Sequence, residues 1–90
     1  MKVVINRCFG GFGLSRDALQ ALGYGDNEYP TIERNDPRLV AVVEKMGPAS
    51  YGMCAALRVV EIPDDVDWQI DEYDGLETIH EAHRVWGDYA

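Results

Sequence analysis

The stretch Cys8-Phe9-Gly10-Gly11-Phe12-Gly13-Leu14-Ser15 constrains this chain more than any other. It joins a β-branched apolar run, Val3-Val4-Ile5, to a helix start at Ser15. Three glycines within four positions let the backbone turn sharply, and Phe9 and Phe12 are expected to anchor the turn in a core. Lys2 to Arg7 reads as a strand, giving a first strand over 2–8. Ser15 is a good N-cap, Asp17 falls in the first turn and Leu14 can act as the staple before the cap. Ala18, Leu19 and Leu22 share one side of a helix over 15–22, which Gly23 stops.

Residues 24–35 form a polar connection holding Gly25, Asp26, Asn27 and Pro30. Asp36-Pro37 then opens a second helix, with a capping carboxylate followed by proline at the first helical position. Leu39, Val42, Val43 and Met46 make an amphipathic stripe over 36–46, ended by Gly47-Pro48. Residues 55–62 read as a central strand with apolar residues on both faces. Pro63 to Asp67 is read as a turn into a third strand over 67–73, the two forming a hairpin. In that strand Trp68 and Ile70 point inward, and Gln69, Asp71 and Tyr73 outward. Asp74-Gly75 breaks it. For 76–86 helical counting places Leu76, Ile79, His83 and Trp86 on one face, while strand counting gives a poor inner face; helix is the reading chosen. The expected fold is thus a small single α+β domain spanning 1–90. A three-stranded, largely antiparallel sheet would carry two or three helices packed on it.

Charge is unevenly placed. Residues 1–60 hold seven basic and six acidic residues, whereas 61–90 hold one basic residue, Arg84, and ten acidic ones. With a net charge of −8 and no basic patch, direct nucleic-acid binding is not expected. The acidic third suits a basic protein surface, or serves only as a solvated face that keeps the chain soluble. Two cysteines, Cys8 and Cys54, are too few for a disulfide scaffold, and no run approaches membrane-spanning length. These features suggest a cytoplasmic protein with reduced thiols and no membrane association.

Candidate chemistry is sparse. A strand, a glycine loop and a helix resemble the arrangement that cradles phosphate at free helix-terminal amides. Gly10, Gly11 and Gly13, flanked by Arg7 and Arg16, would then receive an anion or small ligand. The spacing is neither a dinucleotide-binding nor a Walker pattern, and the same residues suit a purely structural turn. Glu77, His80 and His83, spaced three apart, would share a helix face and could grip a metal, although only three ligands are visible. Cys8 with a histidine would make a nucleophile–base pair, but nothing in the sequence brings them together. No cofactor is implied, and catalysis is not the favoured reading.

The opening Val4-Ile5-Asn6-Arg7-Cys8-Phe9-Gly10-Gly11-Phe12-Gly13-Leu14-Ser15 resembles the start of a family of small uncharacterised bacteriophage and prophage proteins. The stretches Val59-Val60-Glu61-Ile62-Pro63-Asp64, Glu72-Tyr73-Asp74-Gly75 and His83-Arg84-Val85-Trp86 are similar too. The resemblance covers most of the chain and brings no activity with it. It implies a viral accessory protein inside a host cell, of the kind that binds and blocks host proteins, CRISPR and other defence machinery included. The function expected is binding a host protein with a basic surface through the acidic third, using Trp68, Asp71, Tyr73, Asp74, Glu77 and Trp86. The alternative is a small-ligand module built from the glycine loop and the Glu77, His80, His83 and Arg84 cluster.

Overall fold

The computed structural model describes residues 1–25 and 31–81. In chain order they form β1 (Lys2–Asn6), α1 (Arg16–Ala21), α2 (Pro37–Met46), a short 3-10 turn (Gly47–Ser50), β2 (Leu57–Glu61), β3 (Trp68–Tyr73) and β4 (Leu76–Glu81). Helices and antiparallel sheets share one small α+β unit. Among the described residues there are two two-stranded sheets, β1–β2 and β3–β4, in place of the expected single sheet of three.

The difference is set by two residues. Asp74 has φ 50° and Gly75 φ 89°, and positive φ at both central positions is what a type I′ hairpin turn demands. Tyr73 pairs with Leu76 directly across this two-residue turn. The chain therefore doubles back on itself there, and β3 takes β4, not β2, as its hydrogen-bonding partner. Pro63 to Asp67 links the two sheets instead of closing a hairpin, and Asp64 pairs with the Met1 N-terminal amine. For the same reason the segment after Gly75 is a strand through Glu81 and not the expected helix; the rest of 76–86 lies outside the described residues.

Local signals place the other elements. Ser15 Oγ accepts from the Ala18 amide at 3.1 Å, capping α1, and Asp36 Oδ1 accepts from the Arg38 amide at 2.9 Å, capping α2. That contact, with the Arg38 guanidinium beside it, holds the Asp36 carboxyl below its usual value. Gly47, with φ 57°, ends α2. β1 and β2 pair antiparallel from Lys2 opposite Glu61 to Asn6 opposite Leu57.

The core lies between α2 and the first sheet. Val4, Leu39, Val40, Val43 and Leu57 form one buried cluster, with Phe12, Leu14, Leu22 and Val59 packed around it. The helix is turned slightly from the expected stripe: Val40 is buried beside Leu39 and Val43, while Val42 and Met46 are only half-buried. Phe12 anchors the glycine loop as expected, but Phe9 is 59% exposed and does not. The cluster contains no residue of β3 or β4.

Candidate functional site

How the second sheet is attached decides what it presents. Asn6 closes the apolar run of β1 and is fully buried like Val3 and Val4, and a buried amide must find partners. Its Nδ2 donates to the Cys8 carbonyl at 2.7 Å and to the Gly75 carbonyl at 2.6 Å. Its Oδ1 accepts from the Ala56 amide at 2.9 Å. Its own backbone N–H donates to Glu77 Oε1 at 2.7 Å. One residue thus ties the end of β1, the start of β2 and the hairpin.

Glu77, the inward residue of β4, is the hub of this clasp, with 6% of its side chain exposed. Arg34 reaches it from the polar connection, Nη1 to Oε1 at 2.6 Å and Nη2 to Oε2 at 2.8 Å, a bidentate fork. The same guanidinium lies 3.7 Å from the centre of the Phe12 ring, a cation–π contact on the glycine loop. Arg7 Nη1 donates to the Glu77 carbonyl at 2.7 Å. Among the described residues, every buried side-chain nitrogen and oxygen has a hydrogen-bond partner.

The glycine loop seats the hairpin turn. Gly10 N–H donates to the Asp74 carbonyl at 2.9 Å. Gly75 lies so close to Gly10 and Gly11 that a Cβ there would collide with their backbone. Gly10 and Gly11 have φ of 122° and 103°, whereas Gly13 does not enter the left-handed region. The Gly13 carbonyl accepts from Gly52 N–H at 2.9 Å. Arg16 is the exposed first residue of α1. Of the residues expected to cradle an anion, Arg7 and Gly10 are therefore engaged with the hairpin, and Gly13 with the chain before β2.

β4 separates the proposed metal residues. Glu77 and His80, three apart on a strand, point to opposite faces, the first buried and the second exposed. The helical premise that put them on one face does not hold, and His83 lies outside the described residues. Among the described residues no group of three or more metal-ligating side chains is gathered. Cys8 is half-buried and Cys54 exposed, both free.

The hairpin's outer face carries what remains. Asp71 and Asp74 are exposed, Tyr73 is 73% exposed, and Trp68 is half-buried. His80 Nδ1 lies 3.1 Å from Asp71 Oδ2, and Gln69 Nε2 donates to Asp71 Oδ1 at 3.3 Å. Buried Glu77 is no part of this surface, contrary to expectation, and Trp86 lies outside the described residues. Asn6 and Arg34 were not anticipated from sequence. The available signal was an asparagine closing an apolar strand, which demands partners from elsewhere in the chain. No helix of the described residues is long and apolar enough to cross a membrane. No family model, no curated protein and no solved structure matches this chain.

Proposed function

We propose that this chain is a small accessory protein of the bacteriophage type. It acts in the host cytoplasm by binding a host protein and modulating it, as an anti-defence or anti-CRISPR inhibitor does. The sequence resemblance supplies the viral context, and the acidic hairpin supplies the means. The observation that carries the reading is the β3–β4 hairpin: Asp71, Tyr73 and Asp74 are exposed on it, and no lysine or arginine occurs from Val59 to Glu81. Clasped to the body by Asn6, Arg34 and Glu77, the hairpin presents these groups on a pre-ordered scaffold, which lowers the entropy lost on binding. An exposed aromatic among carboxylates suits a basic surface, including one that itself holds nucleic acid. The ligand-pocket alternative is less well supported, because Arg7 and Gly10 are already engaged by the hairpin.

The test is capture of host proteins on the immobilised chain at low and high ionic strength, with the wild type and with Asp67→Lys/Asp71→Lys. A partner held at low salt, released at high salt and lost to the charge-reversed variant is the expected result. A partner retained unchanged at high salt, or by the variant, overturns the reading, because acidic-face docking is screened.

A further inference from the structure

Among the described residues, β3 is paired on one edge only. Its partner is β4, from Trp68 opposite Glu81 to Tyr73 opposite Leu76. Among the described residues no strand lies on its other edge, and no backbone group from Trp68 to Tyr73 bonds to any segment but β4. A strand edge with unpaired N–H and C=O groups is a template for another strand. This edge is also charged in one sense: Asp67 leads into it, and Asp71 and Glu72 lie within it, all exposed.

Resting on the acidic-docking reading above, we propose that the free edge of β3 takes up an extended, basic segment of the partner protein as an added strand. Charge decides the occupant. A second copy of this chain would bring the same carboxylates against themselves, whereas a lysine- or arginine-bearing strand neutralises them. The side-chain alternation of β3 sets the partner's pattern. On one face Asp71 and Tyr73 are exposed, placing a carboxylate and an aromatic ring beside an incoming cation. A carboxylate has about four lone-pair sites, so the contacts of Asp71 with Gln69 and His80 leave it able to accept another donor. On the other face Trp68 and Ile70 are half-buried ahead of exposed Glu72, and Ile70 pairs with Ile79 across the hairpin. The partner segment therefore alternates basic and apolar residues at the period of a strand.

The test uses a capped hexapeptide alternating lysine and valine, titrated into the isotopically labelled protein and followed by the backbone amide signals. Two N-methylated forms accompany it, one methylated on the edge that would meet β3 and one on the opposite edge. Expected is binding at low ionic strength, with the largest signal changes at residues 68–73. Methylation on the meeting edge should weaken binding by about tenfold, the loss of one or two hydrogen bonds. Methylation on the far edge should leave it unchanged, and Asp71→Asn should weaken it several-fold. Equal affinity for all three peptides overturns strand addition while leaving acidic docking intact. No binding of any peptide at low ionic strength overturns both.

Discussion

Arg34 and Glu77 face each other as fork to fork, and this pair joins two parts of the molecule that, among the described residues, share no buried apolar cluster. The second sheet is held by directional polar contacts, which lose their value once one partner is removed. An apolar seam would lose stability gradually as it was trimmed. A clasp fails when one member is deleted, because the remaining charge is left without its counter-ion.

Glu77→Ala is expected to lower stability by about 3 kcal/mol in denaturant unfolding, within the range for breaking a buried ion pair. Arg34→Met should lose a comparable amount, since it leaves the buried Glu77 carboxylate without its counter-ion and with only the Asn6 backbone N–H still donating to it. The double variant should fall short of the sum by at least about 1 kcal/mol, the coupling expected of residues in direct contact. A loss below about 1 kcal/mol for Glu77→Ala would mark the pair as an ordinary surface bridge.

The glycines are expected to rank by space and not by φ alone. Gly23 and Gly11 take positive φ but a Cβ on either meets nothing within 4 Å, so Gly23→Ala and Gly11→Ala should each lose about 1 kcal/mol from backbone strain. Gly75 has the same kind of φ, and a Cβ there runs into the Gly10–Gly11 backbone. Gly75→Ala should therefore lose at least about twice as much and release the hairpin. Thermal melts of the three variants read the order; equal losses would mean that the loop and the turn are not in close contact.

In the core, Leu39→Ala is expected to lose about 3 kcal/mol, because Leu39 is fully buried and its removal leaves a cavity. Val42→Ala, half-buried on the same helix, should lose less than about 1 kcal/mol. Equal losses would place the helix in the rotation its sequence stripe suggests.

Asp36 provides a pH signature. Its carboxyl is held below its usual value chiefly by the Arg38 backbone N–H it accepts, so its folded-state pKa lies under the unfolded one. Its stabilising effect is present above the unfolded pKa, about 4, and disappears as pH falls through the folded value. Asp36→Asn, which still caps but cannot titrate, should therefore show a shallower loss of stability on acidification than the wild type. Parallel curves in urea unfolding at successive pH values would remove Asp36 as a source of the acid sensitivity.

Where a feature rests on neighbours in sequence, it was legible there. The Ser15 and Asp36 caps, the Gly47 stop, the strands at β1, β2 and β3, and the inward and outward alternation of Trp68, Ile70, Gln69 and Asp71 all follow from local spacing. The Asp74-Gly75 turn is also local: aspartate–glycine between alternating segments is a hairpin signal, and it pairs β3 with β4 in place of a helix after Gly75 and a β2–β3 hairpin. The clasp is different in kind. Nothing near Arg34 in the chain announces that its counter-ion is Glu77, because the pairing is made by the way the hairpin turn drops onto the glycine loop. The rotation of α2 that buries Val40 likewise depends on what the helix packs against.

The hydrogen bond from the Asn6 amide to Glu77 spans 71 positions. A ribosome delivers β1 early and the hairpin late, at about 5–20 residues per second. Before that, β1 can pair with β2 as soon as the latter emerges, but the Asn6 backbone N–H and the Arg34 guanidinium have no Glu77. The nascent chain thus carries unsatisfied polar groups at the end of β1 until residue 77 has left the exit tunnel. The body of β1, α2 and β2 can close first, because its buried cluster holds no residue of β3 or β4, and the hairpin docks last onto polar groups already waiting for it.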